Sequence, residues 1–579
     1  MGVTMRCRSL LLMMSNLVLA LAHASPSGAG AASTRLPISP QEAHKIDALP
    51  QPGDVTPKVD AIFKEYAGQP GCNVGVARSG KLILERSYGL ADIANDVPLG
   101  RETRFDIGSM SKQFTAAAVL ILADRGKIGL DDDIHKYVPE LPSYGVKVSI
   151  RQMLHHTSGI MDYYELLKLA GWVYGDAVSE HDALWALTRM PQLNFAPGTR
   201  ERYSDGNYML LGLVVERVSG QPLGAYLQST IFGPLGMTHT VLTGDHTVVV
   251  PHKAQPYLID GSPRLMANRI DAVGFGGIVT TVEDLALWER NFDDPRVGGT
   301  KVIAEMQTVE PLADGSDNNY AFGLMIRSYR GLRTVEHSGG NGGFLSDKVR
   351  FPSAGLTFIE LCNRRDSTAL HKLRQVADLY LGFGLEAPST GQVNASAAAP
   401  KWPATDLATL AGPYLSGNRS DFHIFTVESG GLVDENGARY GRIGRFEFKD
   451  AGGATYRFIL ESGVATAVER QIPGSKPAPM RYVRMPSPQS DKSEYAGMYV
   501  SPELATAWCV ETTDKGLVLR RKRFEDEAVE PAWRDALAME GAALFDRVNN
   551  QITGFTLVSD RLNGVRFFKE KLEGRCTPY

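Results

Sequence analysis

The stretch Phe105-Asp-Ile-Gly-Ser109-Met-Ser-Lys112-Gln-Phe-Thr-Ala-Ala-Ala-Val-Leu-Ile-Leu122 decides the fold. Its alanines and leucines favour helix, and Gly126 stands where a left-handed residue would end one. At a three-residue spacing Ser109 and Lys112 share one helix face a turn apart, so the lysine can reach the serine hydroxyl. A lysine desolvated there has its pKa lowered and can take the serine proton, while the helix N-terminus favours negative charge developing at the nucleophile. Alone, Ser-x-x-Lys is a weak signal because both residues are common.

Two further stretches give it weight. In Arg202-Tyr203-Ser204-Asp205-Gly-Asn-Tyr208 a tyrosine beside a lysine–serine pair can act as general base, or pass a proton to the leaving group. The competing reading is a core tyrosine capping a helix. In Glu336-His337-Ser338-Gly339-Gly340-Asn-Gly-Gly-Phe344 a histidine leads into glycines. Glycines let a substrate approach a strand edge, and an exposed N–H near Gly340 would complete an oxyanion hole with the N–H of Ser109. A plain turn is the alternative.

Outward from these motifs the pattern is strands, a long helical middle, then strands. Residues 72–86 form two β-rich runs split by Ser79-Gly80, a hairpin signal. In Thr280-Thr281-Val-Glu-Asp284 a threonine with an acidic residue three positions on predicts a capping box for a helix through Leu287. Leu356-Thr-Phe-Ile-Glu-Leu-Cys362 reads as a strand. This order predicts an α+β domain built on one antiparallel sheet.

Residues 389–404 shift to Ala, Ser and Pro and read as a linker. Beyond them short alternating runs such as 422–427 and 456–460 predict all-β structure. Ala411-Gly-Pro-Tyr414 and Ala496-Gly-Met-Tyr499 lie 85 residues apart and each opens such a stretch, which predicts two small antiparallel barrels or sandwiches.

The N-terminus carries Arg6 and Arg8, an apolar run through Leu21, and Ala22-His-Ala24, the pattern of a signal peptide cleaved after Ala24. The apolar run is shorter than the roughly 20 residues of a membrane span. No later segment has 18 uninterrupted apolar residues, so no membrane span is expected in the mature chain, which is read as periplasmic or secreted. Removing Arg6 and Arg8 leaves 59 basic against 65 acidic residues, a formal charge of −6. That balance excludes a global basic field for nucleic acid. Cys72, Cys362, Cys509 and Cys576 remain in the mature chain; Cys509 with Cys576 is the favoured bridge because both lie in one C-terminal segment, and four buried thiols are the alternative.

In this order and spacing the three motifs resemble the serine β-lactamase and penicillin-binding-protein superfamily, and more narrowly its class C β-lactamase, esterase and D-aminopeptidase branch. Ser109-x-x-Lys112 matches the first motif. Tyr203-x-Asp205 stands where the branch has Tyr-x-Asn, and His337-Ser338-Gly339 where it has Lys-Thr-Gly or His-x-Gly. Leu154-His-His-Thr-Ser-Gly159, residues 231–237 and residues 276–284 also look like the family. The resemblance implies a five-stranded antiparallel sheet flanked by a helical subdomain with the site between them. A catalytic domain followed by two small, lipocalin-like barrels is similar to the three-domain D-aminopeptidases, in which a loop of the last barrel reaches the active site and limits substrate size. The expected organisation is a signal peptide at 1–24, a flexible lead-in at 25–54, the hydrolase domain at 55–388, the linker at 389–404, and barrels at 405–488 and 489–579.

Two departures bear on mechanism. With His337 in place of lysine, the fixed positive charge for a substrate carboxylate is missing or pH-dependent. That favours an esterase or aminopeptidase-like hydrolase over a β-lactamase or carboxypeptidase. A neutral His337 would contact substrate by hydrogen bonding, or else brace its strand. Asp205 in place of asparagine either pairs with Lys112, which would make the lysine a poorer base and shift that role to Tyr203, or receives a substrate ammonium, or is a simple isosteric replacement.

The resulting expectation is an exported serine hydrolase that forms an acyl-enzyme on Ser109, with Lys112 and Tyr203 moving protons and Asp205, His337, Gly339 and Gly340 binding substrate. Its acyl donor is a small molecule or peptide; no cofactor or metal enters, and the oligomeric state is open. β-Lactamase or DD-peptidase activity, or a non-catalytic penicillin or ligand binder, is the alternative. Adjacent His155 and His156 lack ligand spacing and read as structural. Arg520-Arg-Lys-Arg523, followed by acidic residues, reads as a solvated hairpin.

Overall fold

A computed structural model describes residues 52–366, 369–382 and 405–570, the last range with short gaps at 418, 420, 436, 451–453, 472–478, 488–490, 540 and 560. The expected signal peptide, most of the lead-in and the linker lie outside the described residues.

The first β-rich run forms the hairpin β1 (Cys72–Arg78) and β2 (Lys81–Tyr88). Ser79 and Gly80 both take positive φ, 48° and 71°, the primed turn that matches strand twist. Four later strands join them: β3 (Met325–Tyr329), β4 (Leu332–Asn341), β5 (Phe344–Phe351) and β6 (Leu356–Cys362), in the antiparallel order β3-β4-β5-β6-β1-β2. The sheet thus carries six strands, one more than the resemblance implies. The edge strand β3 folds back on β4 through Arg330 and Gly331, again both at positive φ.

One face of the sheet is covered by α1 (Pro52–Phe63) and α5 (Ala369–Leu381), which bury Val59, Phe63, Leu373 and Val376 against Val74, Val76 and Phe358. The other face packs on α4 (Val282–Asp293) and, through it, on α2 (Lys112–Asp124), the helix of the Ser-x-x-Lys motif; Trp288 of α4 lies 4.7 Å from the Phe114 ring and donates to Gln113 at 2.7 Å. Lys348 of β5 pairs with Glu289 of α4 at 2.7 Å with both side chains fully buried. Removing one partner of such a pair costs about 3–5 kcal/mol, because a lone charge stays behind. Thr281 caps α4 by accepting from the Asp284 N–H, but the expected box is half formed: the Asp284 carboxylate instead accepts from the His239 N–H and the Thr240 hydroxyl.

Beyond the six-stranded sheet and its helices the two all-β stretches close into eight-stranded antiparallel barrels, Gly412 to Arg484 and Gly497 to Glu570. The weak sequence repeat has a common structural meaning. Tyr414 donates to the Leu410 carbonyl and Tyr499 to the Tyr495 carbonyl, each at 2.7 Å, pinning the first strand of each barrel to the segment before it. The second barrel is welded to the segment between residues 163 and 194: Trp508 donates to the Leu169 carbonyl, and Asn194 exchanges hydrogen bonds with the Arg561 carbonyl and the Asn563 N–H. Arg520 to Arg523 do form a hairpin turn, where Arg520 pairs with Asp526 and Arg521 with Glu527, while Arg523 reaches Asp176 of the catalytic domain at 2.6 Å. Among the described residues no helix is long and apolar enough to cross a membrane.

The cysteines correct part of the sequence reading. Cys72 and Cys362 stand directly opposite on β1 and β6 and form a disulfide across 290 residues of chain. Cys509 is also disulfide-bonded, which excludes four free thiols; its expected partner, Cys576, lies outside the described residues.

Candidate active site

Ser109 sits in a 3₁₀ turn, Gly108–Ser111, that runs straight into α2. The turn is held from both sides. Asp106 accepts from the Gly108 N–H at 2.9 Å, and Ser346 of β5 donates to the Ile107 carbonyl at 2.9 Å. Lys112, with no exposed surface, places Nζ 3.0 Å from Ser109 Oγ, 2.6 Å from Asp205 Oδ1 and 3.0 Å from the Phe275 carbonyl. This triangle satisfies both protonation states. An ammonium donates to all three, whereas a neutral amine donates to Asp205 and Phe275 and turns its lone pair to the serine O–H. Burial lowers the Lys112 pKa below the ordinary lysine range, with the Asp205 carboxylate opposing it.

Tyr203 lies over this pair, with Lys112 Nζ 4.7 Å from its ring centre. Burial and then the Asp205 charge push its phenol well above the usual range, so Tyr203 holds its proton at neutral pH. Its hydroxyl has no hydrogen-bond partner among the described residues. The loop is positioned by His156, a structural role in keeping with its lack of ligand spacing. The His156 carbonyl accepts from the Arg202 N–H and its Nδ1 from the Ser204 N–H, bracketing Tyr203, while the two rings lie 4.4 Å apart. His155 turns away and bonds the Tyr320 carbonyl.

Strand β4 forms the opposite wall. Its pairing with β3 ends at Glu336, so from His337 to Asn341 only the β5 side is paired and the other edge has no strand partner among the described residues. Gly339 is forced by contact, since a Cβ there would lie 2.0 Å from the Ile107 carbonyl oxygen. Gly108, at φ +49°, would likewise meet the Gly340 nitrogen at 2.7 Å. The Ser109 turn and the strand edge can approach this closely only because both contact positions are glycine.

Residues 59–381 match the family model Beta-lactamase. The chain belongs to the beta-lactamase family. Within that family it is 28% identical over 341 residues to a D-aminopeptidase of Brucella anthropi, covering 58% of this chain and 64% of that protein. It is 28% identical over 338 residues to a D-aminopeptidase of Brucella canis, again covering 58% and 64%. The aligned part is thus less than two thirds of either relative. Among solved structures, an octameric penicillin-binding protein homologue from Pyrococcus abyssi superposes with a TM-score of 0.52 at 20% identity, covering 75% of this chain and 99% of that one. The structure of SurE gives 0.51 at 22%, covering 77% and 100%. At these identities the likeness is one of fold.

The two residues at which this beta-lactamase-family chain departs from the motif pattern are both engaged within the protein. Asp205, first residue of α3 (Asp205–Ser219), gives one oxygen to Lys112 and turns the other toward Arg561 at 3.6 Å. Its carboxylate therefore already faces two cations, the arrangement of the pairing alternative and not of an ammonium receptor. His337 is buried, with Nδ1 on the Ser338 carbonyl at 2.6 Å and Nε2 on the Tyr320 hydroxyl at 2.9 Å. Burial, and then Lys112, pull its pKa down to about 3, so it is neutral and both nitrogens are spent. The geometry favours bracing over the substrate contact expected from the sequence.

Two residues of the site had not been singled out. Asp162 caps the helix Tyr163–Leu169 and also accepts from the Asp205 N–H at 2.9 Å. Burial and the Asp205 charge raise it to about 6, with Arg561 opposing. Arg561, from the last hairpin of the second barrel, binds Asp162 at 3.2 Å and stands 5.4 Å from the Tyr203 ring centre. The Asp-before-helix pattern at 162 was available in the sequence; nothing local marked Arg561.

Proposed function

We propose that the chain is an exported serine hydrolase that acts through an acyl-enzyme on Ser109, of the esterase or D-aminopeptidase/amidase type. The observation that carries this reading is the fully buried Lys112 amine 3.0 Å from the Ser109 hydroxyl. Lys112 takes the serine proton as Ser109 attacks the acyl carbon. The N–H groups of Ser109 and Gly340 hold the oxyanion, and Tyr203, protonated at neutral pH, passes a proton to the leaving group. Water then releases the acyl group. The lowered Lys112 and raised Tyr203 pKa values support the lysine as base and the tyrosine as relay, the reverse of the shift suggested by Asp205 in the sequence.

Substrate is an acyl donor laid along the open edge of β4 and bounded by the loop that carries Arg561. The D-aminopeptidase relatives and the absence of a cation from the His337 position both support an amide or ester lacking a required carboxylate. Export rests on the signal-like residues 1–24, and the Cys72–Cys362 pairing fits an oxidising compartment. The hydrolase domain is taken as 55–388 and the barrel domains as 405–488 and 489–579.

A hydrolysis panel tests the reading: p-nitrophenyl acetate and butyrate, D- and L-alanine p-nitroanilide, nitrocefin and a D-Ala-D-Ala peptide, together with fluorophosphonate labelling of wild type and Ser109→Ala. Ser109-dependent labelling with turnover of esters or D-alanine anilide is expected. Absence of label would remove the hydrolase reading, and dominant nitrocefin turnover would replace it with a β-lactamase.

A further inference from the structure

We infer that the mouth of the first barrel holds a divalent transition-metal site formed by His423, Asp434 and Glu435. The mouth faces the catalytic domain. One cavity of about 550 Å³ is lined by these three residues on one side and by Arg202, Ser559 and Arg561 on the other.

His423 is fixed by the rings of Tyr482, Phe425 and Tyr456, with centroids 4.9, 5.4 and 5.5 Å away. Both of its ring nitrogens are closed off from solvent, yet neither has a hydrogen-bond partner among the described residues. A buried imidazole pays for that isolation unless something else binds it. A ring nitrogen of His423 and carboxylate oxygens of Asp434 and Glu435 lie within 4.8 Å of one another, the His423 Nδ1 to Glu435 Oε1 distance being 3.9 Å. Ligand atoms about 2.0–2.1 Å from a tetrahedral metal stand about 3.3 Å apart, so small side-chain movements would close the set.

The carboxylates are already aimed. Ala438 N–H and the Tyr440 hydroxyl donate to the two oxygens of Asp434, and Ile424 N–H donates to Glu435 Oε2, the kind of outer support that orients metal ligands. Asp421 and Asp450, bound by Tyr482 and Tyr456, add negative charge to the same mouth. One imidazole with two carboxylates suits Zn²⁺ or Mn²⁺, whereas Ca²⁺ and Mg²⁺ take oxygen ligands.

The test is equilibrium dialysis of the chelator-stripped full chain against ZnCl₂, with bound metal counted by mass spectrometry. Wild type is expected to bind one Zn²⁺ that is lost, or weakened at least about tenfold, in both His423→Gln and Glu435→Gln. His246→Ala, which breaks the surface group Asp245–His246–Asp271, is expected to keep it. Glu435 is exposed and its variant leaves the barrel core untouched, so its result stands even if the His423 variant misfolds. No bound Zn²⁺ in wild type, or binding unchanged by Glu435→Gln, would overturn the proposal.

Discussion

Arg561 of the second barrel and Asp162 of the catalytic domain form an ion pair at 3.2 Å across 399 residues of chain. The pair lies beside the Lys112–Asp205 contact, with Arg561 3.6 Å from Asp205, so a residue of the second barrel sets part of the electrostatic field around Ser109.

Arg561→Met keeps the aliphatic stem but removes the charge. Asp162 stands at about 6 because burial and Asp205 raise it while Arg561 lowers it. Without Arg561 the carboxyl rises further, and the acid limb of kcat/KM is expected to move up by about one pH unit. The check is a pH profile on p-nitrophenyl acetate; superimposable limbs in wild type and variant would show that Asp162 does not gate the site.

Asp205→Asn removes the group that holds the Lys112 pKa up against burial. The amine then loses its proton at lower pH, so the rising limb of acylation shifts to lower pH. Because Asp205 acts on Lys112 and not on substrate charge, an amino-acid amide and a neutral short-chain ester are expected to change equally. A loss confined to the amide would restore the ammonium-receptor reading.

The glycines of β4 separate contact from conformation. Gly339→Ala drives a Cβ to 2.0 Å from the Ile107 carbonyl oxygen, which is backbone and cannot turn aside. Activity is expected to fall at least about a hundredfold as the nucleophile turn is pushed off the strand. Gly340→Ala meets Leu345 Cδ2 at 3.4 Å and the Phe344 carbonyl oxygen at 3.9 Å, ordinary contacts, and is expected to fold with wild-type stability. Parallel thermal melts and fluorophosphonate labelling rates distinguish the two; equal behaviour would mean that the strand edge does not constrain Ser109.

What the sequence disclosed and what it hid follow from range. Ser109 and Lys112 are three residues apart in one helical segment, and Ser79-Gly80 closes its turn locally, so spacing alone was enough. The Gly-x-Tyr repeat was also legible because its tyrosine hydroxyls bind carbonyls only four residues back. Cys72 and Cys362 are neighbours only because β1 lies beside β6, a pairing that no local spacing marks. Arg561 reaches the site through the docking of a whole barrel. His337 reads as a substrate contact from its motif position, but Tyr320, outside every motif, takes its second nitrogen.

The same sheet carries a pH liability on its outer face. Asp347 of β5 stands directly across from Glu360 of β6, both are buried, and neither oxygen of Glu360 has a partner among the described residues. Burial raises Asp347 from 3.8 to about 6, with Arg374 opposing. A carboxyl whose pKa is raised on folding binds its proton more tightly in the native state, so stability is fullest below about pH 4. It falls as pH rises toward 6 and stays lower above that. The loss is on the order of 3 kcal/mol for a shift of that size. Asp347→Asn keeps the shape and the donor of the protonated acid but cannot ionise. Its stability relative to wild type, from urea unfolding, is therefore expected to rise between pH 4 and pH 7, and parallel curves would show that the Asp347 carboxyl is solvated in the native state.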